Sequence, residues 1–332
     1  MENKEVFARR NFYNDGDSGK VYLFALILPI LLAIVSVMIS NVIEGATGSE
    51  SFTDGILYNT IMQVVSSIAL VCIYLVYNKC NNIEYKAINL KFKMKWHTYL
   101  LVIGIGVVSL FGLQYFIGAV DNFLELLGYP LQVASPDLPE SLTNPKSYGI
   151  FSLAVIVVAL LPAICEEILF RGVVLNGLRT RFGDIASIFM SALMFALMHQ
   201  NLQQLVYPFL LGSVMGWIVL RTGSIISSII VHFCNNFLTI LFTYLSNISS
   251  FSLSLPNVWW FYLVAIALLA LTAGIIYLID RFYFKHKSKE ETQKTSTKTS
   301  KYIYISLAVA GVMFLFITVF NFMLNTVIKR NI

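Results

Sequence analysis

Residues 147–178 read SYGIFSLAVIVVALLPAICEEILFRGVVLNGL. A membrane-spanning helix needs about 20 mostly apolar residues, within a range of about 17–25. This run is long enough, and three charged side chains, Glu166, Glu167 and Arg171, interrupt it. The same window finds further apolar stretches at 21–43, 56–77, 98–118, 225–245, 258–279 and 302–328. Two shorter ones, 185–199 and 205–220, are separated only by residues 200–204. The pattern predicts an all-α, polytopic transmembrane bundle of about eight to nine spanning helices. A polar segment precedes the first stretch, which is too long for a cleaved signal peptide and reads as an anchor.

Composition agrees. The 332 residues are 57% hydrophobic and only 12% charged, with a mean hydropathy of +0.74, whereas soluble domains carry about 25% charged residues. So little charge excludes a disordered chain. The net charge of +5 comes from short clusters of Lys and Arg between apolar blocks, not from one basic face, which argues against a nucleic-acid partner. The natural partner is the lipid bilayer. Cys72, Cys80, Cys165 and Cys234 have neither ligand nor disulfide spacing.

Lys and Arg collect at alternate connections: before the first stretch (Arg9, Arg10, Lys20), after the second (Lys79 to Lys95), after the fourth (Arg179, Arg181), after the sixth (Arg221) and after the eighth (Arg281 to Lys301). Positive charge marks the cytoplasmic side, so the N-terminus is expected inside a multi-pass, plasma-membrane protein. Three regions are expected: 1–146 with the first three helices, 147–246 as a polar-bearing core, and 247–332 with a flexible Lys/Ser/Thr linker at 286–301. Gly212 and Gly216 form a small-xxx-small pair suited to close helix packing.

Ionisable groups inside a span cost at least about 2.5–3.5 kcal/mol near the bilayer centre. Away from helix ends they are Glu166, Glu167, Arg171, His199 and His232, all between positions 166 and 232. Neighbours on a helix diverge by about 100°, so Glu166 and Glu167 face different ways. Glu167 and Arg171 are i and i+4 and form an expected buried pair that holds the local fold. Glu166 is left without an intrahelical cation. Phe195 shares a face with His199, as His232 does with Asn236, while Asn235 lies off that face. At about 1.5 Å per residue from the basic boundaries, Glu166 lies about 20 Å deep, His199 about 22 Å, Asn236 about 18 Å and His232 about 12 Å. One layer can hold them all.

A carboxylate, two imidazoles and an amide in a water-poor layer can activate water against a carbonyl. In one version Glu166 takes a proton from water, His199 holds that water and protonates the leaving amine, and His232 and Asn236 donate to the oxyanion. In a second, His199, His232 and Glu166 ligate Zn²⁺ and leave one position open for water. The H-E-x-x-H pattern of many helical zinc hydrolases is absent.

Glu166-Glu167-Ile168-Leu169-Phe170-Arg171 resembles the EExxxR motif of the CAAX prenyl endopeptidase-like, bacteriocin-processing (CPBP or Abi) intramembrane proteases. Phe195 to His199 is similar to their FxxxH motif, and His232 to Asn236 to their HxxxN/D motif. The resemblance implies an endopeptidase with an all-helical membrane core, Glu166 and His199 as water activators, and His232 and Asn236 at the oxyanion. Its members are described both as glutamate-dependent enzymes and as metalloproteases. It further implies peptide or membrane-protein substrates: prenylated CAAX proteins in eukaryotes, and in bacteria peptide maturation, bacteriocin self-immunity or regulation. The Asn-, Ile-, Lys- and Phe-rich composition points to an AT-rich bacterial genome and so to the second group. Two other classes fit intramembrane Glu and His: a non-catalytic membrane regulator that binds another membrane protein, and a proton-coupled transporter. Internal repeats, which mark many transporters, are missing.

Overall fold

The computed structural model describes residues 10–47, 55–92, 94–126, 147–200, 205–249, 259–279, 281 and 299–330. Among them are nine helices, one short 3₁₀ turn at Tyr85–Ile88, and no strand. They are α1 (Asp15–Thr47), α2 (Ile56–Cys80), α3 (Trp96–Leu126), α4 (Tyr148–Phe182), α5 (Asp184–Met198), α6 (Val206–Thr222), α7 (Ile226–Ile248), α8 (Trp259–Ile279) and α9 (Lys301–Arg330). Among the described residues each expected apolar stretch is helical to within one residue at its ends. Five of the described helices, α1 to α4 and α7, are long and apolar enough to cross a membrane. The acidic connection 127–146, residues 201–204 and most of the 286–301 linker lie outside the described residues.

Helix ends follow capping chemistry rather than hydropathy. α1 starts at Asp15, ahead of its apolar run, because Asn14 and Asp17 cap each other: the Asp17 N–H donates to Asn14 Oδ1 and the Asn14 N–H to Asp17 Oδ2, both at 2.9 Å. Ser147 caps α4 by accepting from the Ile150 N–H at 3.3 Å. Left-handed backbone at Gly223 (φ 68) closes α6.

The ends that carry the bases meet at one end of the bundle and are tied together by polar contacts. Arg10 pairs with Ile83 through two backbone hydrogen bonds, to Asn82 and from Glu84. Asp17 accepts from both Arg10 and Tyr77, and Tyr13 meets Asn78. Ser224 donates to the Lys91 carbonyl at 2.6 Å. Arg181 donates to Thr299, and the Ser300 N–H to Asp15. At this end burial raises the pKa of the Tyr13 hydroxyl.

α4 runs through the middle. Every residue from Leu169 to Leu175 is buried, Arg171 among them. α1 packs against this half, α7 against the other, and α2 along both. Gly172 lets Ile88 approach to 2.8 Å of where a Cβ would stand. α4 is not uniform: Val155–Leu160 and Ile168–Leu175 are π-helical, a geometry frequent at functional sites. Pro162 follows the first. It has no N–H to give the carbonyl four residues back, that of Val158, and its ring crowds that carbonyl; the wider π turn accommodates both.

α9 packs along α1 where Gly19 meets the backbone of Tyr302, and Lys20 lies over the Tyr302 ring at 4.7 Å. A Cβ on Gly19 would stand 2.5 Å from the Tyr302 carbonyl carbon. Gly19→Ala is therefore expected to destabilise by about 1–3 kcal/mol through overpacking, read as a lower Tm in detergent. Gly45→Ala, where a Cβ meets nothing within 4 Å, is expected to leave Tm unchanged or raise it.

Candidate active site

The motif residues converge between α4, α5, α6 and α7. Arg171 is fully buried and meets partners on three helices. Its Nη1 donates to Glu167 Oε1 at 2.8 Å, its Nη2 donates to the Gly212 carbonyl of α6 at 3.0 Å, and its guanidinium lies 4.7 Å from the centre of the Phe195 ring of α5. The Gly212 approach is close, since a Cβ there would sit 3.1 Å from Nη2 and 3.2 Å from Ala192 Cβ. Gly212 and Gly216 thus serve the tight α5–α6 packing expected of them.

Glu167, also 0% exposed, does more than pair with Arg171. Its Oε1 is also 3.1 Å from His232 Nδ1. Since an ionised carboxylate only accepts, this contact puts a proton on Nδ1 and turns Nε2 outward. Nε2 then faces Glu166, whose Oε2 is 3.9 Å away and whose side chain is 17% exposed. The two adjacent carboxylates thus have different environments, as the helical divergence requires. Glu167 Oε2 and Arg171 Nε are buried without a hydrogen-bond partner.

His199 caps the end of α5, one residue beyond the helix. Its Nδ1 lies 3.0 Å from the Phe195 carbonyl. A carbonyl accepts, so Nδ1 carries the proton and Nε2 is left with a lone pair. The Phe195 ring meets both imidazoles edge-on, at 5.0 Å from His199 and 5.9 Å from His232. It walls the site on the α5 side and separates the two rings.

Asn236 is anchored to the π segment of α4: its Nδ2 donates to the Val158 carbonyl at 3.3 Å, the carbonyl that Pro162 cannot serve. One Nδ2 hydrogen remains for another acceptor. Asn235, discounted because it lies off the His232 face, is buried at 5% exposure and belongs to the same network. It donates to Asn236 Oδ1 at 3.4 Å and accepts a short hydrogen bond from the Tyr207 hydroxyl of α6. Sequence reasoning missed Tyr207 and Val158, and read Gly212 for close packing without its carbonyl contact to Arg171. Of the two missed residues only Val158 had a local signal, in Pro162.

The nitrogens free to ligate a metal are the two Nε2 atoms, with Glu166 as the carboxylate. Both Nδ1 atoms rest on oxygen acceptors, as in metal-binding histidines. Among the described residues, however, no group of three or more His, Cys, Asp or Glu side chains is gathered closely enough to hold a metal ion. As arranged, the donors do not form a ligand set.

A family model described as type II CAAX prenyl endopeptidase Rce1-like matches residues 149–238. No curated protein and no solved structure matches the chain significantly. The matched stretch begins in the first turn of α4, includes all three motifs and ends just beyond Asn236. Over this core, 90 of the 332 residues, the chain is similar to the Rce1-like endopeptidases, a family of proteases.

Proposed function

We propose that the chain is an intramembrane endopeptidase that hydrolyses peptide bonds of membrane-associated protein or peptide substrates, using a water activated by Glu166 and His199. It sits in a bacterial plasma membrane, with its N-terminus inside and eight to nine spans. Its work is peptide maturation, bacteriocin immunity or regulation. One observation carries the reading: two adjacent carboxylates, of which Glu167 is fully buried and holds Arg171 and His232 through one oxygen, while Glu166 keeps exposed surface beside His232 Nε2.

In this mechanism Glu166 accepts a proton from water while the water oxygen bonds to the scissile carbonyl carbon. The carbonyl becomes an oxyanion, and the second Nδ2 hydrogen of Asn236 and His232 Nε2–H donate to it. With Nδ1 held by Glu167, His232 can donate from Nε2 only as an imidazolium. Its charge would bring the group of Glu166, Glu167 and Arg171 to neutrality. When the intermediate collapses the C–N bond breaks, and the proton held by Glu166 passes through His199 Nε2 to the leaving amine. Glu167, Arg171 and Phe195 position these groups and do not react.

Three measurements test these roles. Glu166→Gln should reduce peptide hydrolysis by the purified protein by about 10²–10⁴-fold with Tm unchanged. Comparison of peptide termini between wild-type and Glu166→Ala cells should show the lost products. Full biological activity in both Glu166→Ala and His199→Ala would instead support a non-catalytic regulator.

Exhaustive chelation should leave hydrolysis intact. Loss of activity restored by Zn²⁺, at one ion per chain and absent from His199→Ala, would transfer the mechanism to the metal version. Arg171→Leu should cost about 3–5 kcal/mol of stability, because it strands the buried Glu167 charge. The double variant Glu167→Leu/Arg171→Leu should cost less than Arg171→Leu alone in the same unfolding assay; equal or greater loss would mean that the pair is not the source of the effect.

A further inference from the structure

Away from the active site, α3 and Ile275 of α8 line an open apolar cavity of about 510 Å³ at the basic end of the bundle. Its size lies within the range of about 300–1,000 Å³ typical of small-molecule sites. On α3 it is lined by Trp96, His97, Leu101, Gly104 and Val108, and on α8 by Ile275. His97, Leu101, Gly104 and Val108 follow helical spacing, so they form one stripe along α3. The cavity is open along one side, with Trp96, 73% exposed, at its mouth. That is the depth at which indole rings settle in the headgroup layer.

The glycines of α3 give a second observation. A Cβ on Gly106 would press on Cys234 of α7, and one on Gly112 on Thr272 of α8, so both are explained by helix approach. Gly104 has no such reason, because a Cβ there would meet nothing within 4 Å. Its missing side chain leaves the cavity open at that point. The rim is basic. Lys91 and Lys95 precede α3, and Arg281 follows α8. The Lys91, Lys95 and Arg281 side chains are exposed.

We propose that this cavity binds one anionic phospholipid of the cytoplasmic leaflet. An acyl chain lies along the Gly104 stripe against Ile275, and the headgroup rests beside Trp96 between Lys95 and Arg281. An apolar slot under a cationic rim matches both halves of such a lipid, whereas a soluble metabolite would match only the rim. Basic side chains next to a span attract anionic headgroups in the same way.

The test is native mass spectrometry of the delipidated full chain, titrated with phosphatidylglycerol or phosphatidylcholine. One phosphatidylglycerol should bind per chain, at least about fivefold more tightly than phosphatidylcholine. Gly104→Leu fills the slot and should abolish this binding. Lys95→Gln/Arg281→Gln should bring phosphatidylglycerol down to the phosphatidylcholine level. As a measure independent of any variant at Gly104, phosphatidylglycerol brominated along its acyl chains should quench the fluorescence of a chain retaining only Trp96, and brominated phosphatidylcholine at the same concentration should not. Unchanged phosphatidylglycerol binding by Gly104→Leu, equal binding of the two lipids, or absence of selective Trp96 quenching would each overturn the proposal.

Discussion

A guanidinium buried in the core of the helical bundle is the constraint on which the rest of the site depends. Removing a charge from water costs several kcal/mol even after relaxation, and only a paired, hydrogen-bonded charge is tolerated there. Arg171 obtains its partners from α4, α5 and α6: Glu167 at 2.8 Å, the Phe195 face at 4.7 Å and the Gly212 carbonyl at 3.0 Å. Each partner restricts its helix. The carbonyl contact requires α6 to come so close that residue 212 has little room for a side chain. The ring contact fixes Phe195, and Phe195 in turn flanks both imidazoles. Through Glu167 the constraint reaches α7, because the same oxygen holds His232. One cation thereby sets the relative positions of the four helices that carry the motifs.

α4 contributes through its irregularity as well. An unbroken α-helix containing Pro162 would leave the Val158 carbonyl without its N–H and clash with it. The π segment Val155–Leu160 widens the turn, and the Asn236 amide donates to that carbonyl from α7. A local defect on one helix thus becomes an anchor for a side chain on another. Tyr207 and Asn235 complete the hold from α6, so the amide assigned to the oxyanion is supported on both sides.

The bundle and the motif residues were legible because the background is so apolar. Against it Glu166, Glu167, Arg171, His199 and His232 stand out, and i, i+4 arithmetic was enough to pair Glu167 with Arg171 and to free Glu166. What stayed hidden depends on helices meeting in space. A tyrosine and a glycine in an apolar helix look like packing until Tyr207 meets Asn235 and Gly212 meets Arg171. The π segments were invisible because α and π turns use the same apolar residues, with only Pro162 as punctuation. Asn235 was discounted on face geometry, which describes one helix correctly but omits what α6 brings against it. The early start of α1 escaped hydropathy because its first turn is polar, and capping and burial at the basic end made it helical.

The distance between neighbouring side chains explains why two consecutive glutamates are useful here. With about 100° between them, one can point into the packed interior and the other toward the space beside α7. Glu167 takes the interior position at 0% exposure, while Glu166 keeps 17% of its surface. Exchanging the tasks would require the carboxylate that holds Arg171 to face solvent, which would strand the guanidinium. The inner carboxylate also sets the tautomer of His232 by holding Nδ1, and so determines which nitrogen looks back at Glu166. The structural glutamate therefore orients the partner of the glutamate proposed to react. The two roles are coupled through a single imidazole.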